Sequence, residues 1–216
     1  MLLGGFEPFT VSDFPGHPAA VVFTQGCNFR CPFCHNGGLL EAEPTGELLE
    51  EEEFLAFLAK RRGLLSGVVI SGGEPCLQPD LAAFCRRLKE MGFNVKLDTN
   101  GSRPRVIAEL LAQGVVDYIA MDVKAPLERY RQLTGGAGDP ATISAAIALI
   151  AAGKVAHHFR TTRVESLLSD EDISRIKALI PPGSCHRLQP FIAENALAAQ
   201  LRPQPKSPPR GSIDQC

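Results

Sequence analysis

Several things are missing from this chain of 216 residues, and each absence narrows what it can be. Charge of one sign is missing: 22 Lys and Arg against 24 Asp and Glu leave a formal net charge of −2, which offers no global attraction to nucleic acid or to an anionic membrane. A long apolar run is missing too, and crossing a bilayer takes about 20 such residues. The first residues, Met1-Leu-Leu-Gly-Gly-Phe-Glu7, lack the basic start and apolar centre of a secretory signal, so a cytoplasmic protein is expected. Seven cysteines, odd in number and unevenly spread, form no disulfide framework and fit metal ligation in a reducing compartment. Tryptophan is absent and tyrosine occurs only at Tyr118 and Tyr130, which excludes nothing. What is present, 44% hydrophobic and 21% charged residues, suits one globular domain with a sizeable core.

Short apolar, β-rich runs at 19–24, 67–70, 93–97, 116–121, 155–162 and 187–192 predict six strands. Helical spacing lies between them. It is carried by Phe54, Leu55, Phe57 and Leu58; by Leu81, Phe84, Cys85, Leu88 and Met91; and by Val106, Ile107, Leu110 and Leu111. Ile143, Ile147 and Ile150 mark another helix, and 170–180 a last one capped by Ser169. Residues 1–17 read as a lead-in arm and 129–138 as a polar connector. This alternation is the βαβ rhythm of a parallel sheet. A closed eight-stranded α/β barrel takes about 250 residues, so the expectation is an α/β fold with a partial, open parallel barrel of about six strands. A doubly wound open sheet is the alternative. The domain is expected over 1–201, and the Pro- and Ser-rich tail, 202–216, is expected to be disordered.

The densest chemistry is the loop Gly26-Cys27-Asn28-Phe29-Arg30-Cys31-Pro32-Phe33-Cys34-His35-Asn36, with cysteines spaced C-x3-C-x2-C. Thiolates suit iron–sulfur clusters and zinc. A cubane cluster takes four, one per iron, so three would leave one iron open to a ligand. Structural zinc needs four protein ligands. The fourth would have to be His35, strained by its adjacency to Cys34, or one of Cys76, Cys85, Cys185 and Cys216, none in a second CxxC pair. A redox dithiol of Cys31 and Cys34 would leave Cys27 without a purpose. Cys85 lies on an apolar helical stripe and reads as core.

Three more polar segments follow strand ends: Ser71-Gly-Gly-Glu-Pro75, Asp98-Thr-Asn-Gly101 and Asp122-Val-Lys124. Parallel sheets place their binding sites at that edge, so four loaded segments converge on one mouth. Gly72 and Gly73 would let backbone polar groups approach a ligand, Glu74 would accept from an ammonium, and Lys124 would pair with a carboxylate. A ligand carrying both groups and chelating an open iron, such as the methionine end of S-adenosylmethionine, meets these demands.

With these motifs the chain resembles the radical S-adenosylmethionine superfamily. Asp13-Phe-Pro-Gly16, Gln25-Gly-Cys-Asn28, Cys31-Pro-Phe-Cys-His-Asn36, Ser71-Gly-Gly-Glu-Pro75, Asp98-Thr-Asn-Gly101 and Met121-Asp-Val-Lys124 bring it nearer to one branch, the activating proteins of glycyl radical enzymes. Within that branch it is most similar to the activator of anaerobic ribonucleoside-triphosphate reductase. The resemblance implies that Cys27, Cys31 and Cys34 hold one [4Fe-4S] cluster, whose fourth iron binds S-adenosylmethionine. It implies that Phe33 meets the adenine through its backbone, that Gly72, Gly73 and Glu74 receive the ammonium, and that Asp98, Asn100, Asp122 and Lys124 also line the cofactor. Asp98, Thr99, Met121 and Asp122 match positions that cradle a monovalent cation in formate-lyase activases. The implied reaction is reductive cleavage of S-adenosylmethionine and hydrogen abstraction from a glycine of a partner enzyme. A flavodoxin- or ferredoxin-type donor would supply the electron, with no nucleic acid or membrane involved. Residues 37–47 carry no cysteine, so no further cluster is expected there, and 161–166 departs from the Val-x-Pro wording of the branch. Two other functions compete: a radical enzyme on a small molecule, like the 7-carboxy-7-deazaguanine synthases, and a non-catalytic metal-binding module.

Overall fold

A computed structural model describes residues 1–43 and 46–203, so most of the tail expected to be disordered, including Cys216, lies outside the described residues. Seven strands form one sheet in sequence order: β1 (Leu3–Thr10), β2 (Ala19–Thr24), β3 (Gly67–Gly72), β4 (Asn94–Thr99), β5 (Tyr118–Asp122), β6 (Ala156–Arg163) and β7 (Cys185–Pro190). From β2 to β7 all neighbours are parallel. Strand order never reverses, which removes the doubly wound alternative, since that fold needs a switch point. β1 and β7 are the free edges, so the barrel is open.

The structure corrects one expectation. Residues 1–17 are not only a lead-in arm: β1 pairs antiparallel with β2, from Leu3 opposite Thr24 to Thr10 opposite Ala19, with register shifts near Gly5 and after Glu7. Gly4, Gly5 and Pro8 depress any strand signal there, while pairing to a buried neighbour overrides the propensity.

Helices α1 (Glu51–Ala59), α2 (Leu81–Glu90), α3 (Pro104–Gln113), α4 (Tyr130–Leu133), α5 (Pro140–Ala152) and α6 (Asp170–Leu179) connect the strands. Their ends follow the local chemistry. Ser169 and Asp172 make a capping box on α6, and Gly114 ends α3 in a left-handed conformation, φ 63°. Among the described residues no helix is long and apolar enough to cross a membrane.

Strand alternation divides the side chains into two sets. Val22, Val68, Ile70, Val95, Leu97 and Ile119 join the helices in the main core. Ala19, Val21 and Val69 point inward with Phe14, closing the bottom of the barrel. The register carries this inner level from Val21 to Val69, Lys96 and Tyr118. The interior therefore changes from apolar at the bottom to charged at the C-terminal mouth.

Candidate functional site

The mouth holds a cavity of about 320 Å3 lined by the loop after β2, the ends of β3 to β7 and the residues that follow β3, β4 and β5. Cys27, Cys31, Cys34 and Phe33 all line it. Backbone bonds hold the cysteine loop in place: Gly26 and Cys27 donate to the carbonyls of Leu39 and Leu40 at 2.8 and 3.0 Å, and Arg30 to that of Thr134 at 3.1 Å. The Phe29 N–H points at Cys27 Sγ, 3.4 Å away. Burial pushes the Cys31 thiol up to about 12 and raises Cys27 as well. In the metal-free cavity these thiols therefore keep their protons, and metal binding must displace them.

The donor set fits a three-thiolate cluster better than a single ion. Cys76 and Cys85 are buried elsewhere and Cys185 is exposed on β7; none of them lines the cavity. His35 lines it, but its Nε2 accepts from the Ile192 N–H at 3.3 Å and its ring stacks on Phe191. Among the described residues no three His, Cys, Asp or Glu side chains converge closely enough to hold one metal ion. A cubane spreads its thiolates over separate irons and does not ask them to converge.

The glycine pair has a different reason from the one expected. A Cβ on Gly73 would lie 2.1 Å from the carbonyl oxygen of Gly26, and one on Gly72 would lie 2.2 Å from the Thr24 nitrogen. Gly72 also sits at φ 116°. The Gly73 N–H donates to Thr24 O at 2.9 Å and the Glu74 N–H to Gly26 O at 2.8 Å. Gly72 is thus required by contact with the end of β2, and Gly73 by contact with the start of the cysteine loop, whatever the ligand needs.

Glu74 is completely buried. Its carboxylate accepts from the Thr99 hydroxyl at 2.7 Å, the Asn100 N–H at 2.7 Å and the Cys76 N–H at 3.0 Å. Burial raises its pKa, and these donors work against the rise. Expected to receive an ammonium, it lines the cavity and also braces the loop after β4. Asn100 passes the brace on: its amide donates to Asn28 Oδ1 at 3.1 Å, inside the cysteine loop.

The remaining wall is ionic. Asp98 pairs with Lys96 and, at 2.9 Å, with Arg160; Asp122 pairs with Arg160 and, at 2.8 Å, with Lys124. Burial opposes each charge, but the opposite charges prevail. Asp98 and Asp122 are held below the usual carboxylate range, and Lys124 and Arg160 above their ordinary values. Lys124 thus pairs with Asp122 and not with Glu74; β4 lies between the strands that carry them. Tyr130, fully buried in α4, accepts the Lys124 N–H at 3.2 Å and packs edge-on to Phe29.

The residues expected to cradle a monovalent cation meet other protein groups. Every carboxylate oxygen of Asp98 and Asp122 already faces a Lys or Arg nitrogen. The Thr99 hydroxyl serves Glu74, and the Met121 side chain is buried in the main core close to Gly101.

Sequence reasoning missed three parts of the site. Lys96 and Arg160 are basic residues inside strands, and only the register puts Arg160 beside Asp122. A polar residue every second position along 158–162 was the available signal. The third is the segment after β7. Leu197 and Ala198 donate to the carbonyls of Cys34 and Pro32 at 3.0 and 2.9 Å, strapping the cysteine loop from outside.

Comparison with known proteins gives a consistent picture. The Radical SAM superfamily model matches residues 21–175. A protein of Methanocaldococcus jannaschii, provisionally named a glycyl-radical enzyme activating enzyme, is 34% identical over 95% of this chain and 87% of its own. A provisionally named GTP 3',8-cyclase of Thermococcus kodakarensis is 33% identical over 53% of this chain, and only 38% of that protein is covered. Among solved structures, SuiB of Streptococcus suis bound to S-adenosylmethionine superposes with a TM-score of 0.59 at 17% identity, over 78% of this chain and 39% of that one, which shows a shared fold.

Proposed function

This chain belongs to the radical SAM superfamily, whose enzymes use a [4Fe-4S] cluster and S-adenosylmethionine, and from that premise we propose that it installs a glycyl radical on a partner enzyme, namely anaerobic ribonucleoside-triphosphate reductase. The observation that carries the reading is the similarity to the M. jannaschii protein, which runs along 95% of this chain. The similarity to the cyclase stops at about half of it.

In this reading Cys27, Cys31 and Cys34 hold the cluster, and since no fourth cysteine among the described residues lines the cavity, one iron is left for the cofactor. When bound, the two cofactors supply the radical that removes a hydrogen atom from the target glycine. The chain's own residues orient them. Lys124, kept charged by Asp122, meets the ligand's carboxylate. Gly72 and Gly73 form the wall at its ammonium end, with Glu74 fixing Thr99 and Asn100 from behind. Phe33, which lines the cavity, offers its backbone to the adenine. The open edges of β1 and β7 leave room for a protein loop to enter, and a flavodoxin- or ferredoxin-type protein delivers the electron.

The test is anaerobic incubation of the reduced, cluster-loaded protein with S-adenosylmethionine and the reductase. A glycyl doublet should appear in electron paramagnetic resonance and vanish when the reductase's radical glycine is changed to alanine. Cleavage of S-adenosylmethionine without that doublet would reject this partner and favour another glycyl radical enzyme or a small-molecule substrate.

A further inference from the structure

The ionic wall has one member that its two carboxylates share. Lys96 and Asp98 are two residues apart on β4, so they face the same side, and Asp122 and Lys124 stand in the same relation at the end of β5. Arg160 comes from the next strand, where the register sets it directly beside Asp122. It divides its guanidinium between them: Nε goes to Asp122 Oδ1 and Nη1 to Asp98 Oδ2. Lys96 takes the other oxygen of Asp98, and Lys124 the other oxygen of Asp122. Two carboxylates one strand apart would repel each other in a buried wall, and a cation between them is the usual remedy. Here that position is taken by a side chain.

We propose that Arg160 is a built-in cation, a positioning residue that joins Asp98 to Asp122, so that the floor of this S-adenosylmethionine site forms without a bound sodium or potassium ion. The proposal rests on the family reading of the cavity and not on the choice of glycyl radical partner. A guanidinium suits the task because its planar fork presents separate N–H groups to two carboxylates at once. An ammonium at the same place is a point charge and would have to choose between them. Arg160 lines the cavity while remaining only 15% exposed, so its charge acts where solvent screens weakly. Its Nε and Nη1 are both engaged by carboxylates, which fixes the plane of the guanidinium.

The test exchanges the salt. Cluster-loaded wild-type protein is compared in potassium chloride, sodium chloride and choline chloride, whose cation is too bulky to enter. Two quantities are read: equilibrium affinity for S-adenosylmethionine and, without that ligand, the thermal midpoint. Both should be the same in all three salts for the wild type. Arg160→Gln should bind S-adenosylmethionine at least about tenfold more weakly in choline chloride, as loss of charge-assisted contacts predicts. It should recover part of the affinity and midpoint when sodium, potassium or free guanidinium is supplied. Arg160→Lys should fall between the two and gain less from added cation than Arg160→Gln. A wild-type affinity or midpoint that drops in choline chloride would overturn the proposal, and so would an Arg160→Gln protein that no cation improves. The salt comparison on the wild type needs no variant to fold. Because neither readout involves a glycyl radical, a negative result here is separate from a failure of the proposed activity.

Discussion

On the β2–β3 side of the cavity, main chain meets main chain. Gly72 and Gly73 lie so close to Thr24 and Gly26 that there is no room for a methyl group, and the contacts are backbone hydrogen bonds. On the β4–β6 side, charge meets charge: Lys96, Asp98, Arg160, Asp122 and Lys124 hold one another in a chain of ion pairs. The first side is intolerant of an added atom and the second of a lost charge. The difference suits the contents proposed for them, because three thiolates on a cluster need a loop of fixed shape, whereas a zwitterionic ligand needs a fixed field.

The largest effect should come from removing a charge. Asp98→Asn strips Lys96, which is 1% exposed, and Arg160 of a shared partner. Leaving a buried charge uncompensated costs about 3–5 kcal/mol, measurable by denaturant unfolding. A loss under about 1 kcal/mol, the range of an exposed pair, would mean that the ionic side is no more than a solvated surface. The next effect should come from adding an atom. Gly73→Ala would force its methyl against Gly26 O and Leu39 O, 2.1 and 2.8 Å away. Overpacking of this kind costs about 1–3 kcal/mol, and the iron content after anaerobic reconstitution should fall with it. Full iron content and unchanged stability would erase the contrast between the two sides.

The smallest effect sharpens the comparison through pH. His158 lies on the inner face of β6, 5% exposed, bonded to the Tyr118 hydroxyl at 2.9 Å. Burial lowers its pKa from 6.5 to about 4, with Lys96, Arg160 and Arg187 pushing the same way and Asp98 opposing them. Between those two values the unfolded chain binds more protons than the folded one, so this group makes stability rise with pH from about 4 and level off above 6.5. His158→Gln should flatten that rise in unfolding free energies measured across the window. A profile unchanged by the substitution would show that neither burial nor the cationic field holds His158 below its ordinary value.

The contrast also explains what could be read from the sequence. The backbone side is contiguous: Cys27 to Cys34 and Gly72 to Glu74 are short, spaced motifs, and parallel topology alone brings them together. The ionic side is distributed. Asp98, Asp122 and Lys124 stand at strand ends and are visible there, but Arg160 acquires its meaning only from its register against β5. Lys96 looks like a solvated strand residue until the pairing puts it level with Val69 inside the barrel. Glu74 was legible as a cavity residue, but its bracing of the loop after β4 was not, since its three donors come from two separate segments. The strand β1 and the segment after β7 were missed for a shared reason. Neither has a hydrophobic period of its own, and both are ordered by what they lie against.

The strap formed by Leu197 and Ala198 has a consequence for how the protein is made. The cysteine loop is synthesised well before the segment that completes it, so the pocket for the cluster joins two widely separated stretches of the chain. Contacts so far apart in sequence form late. Until they do, the carbonyls of Pro32 and Cys34 lack their partners, and metal loading belongs after Leu197 and Ala198 have docked.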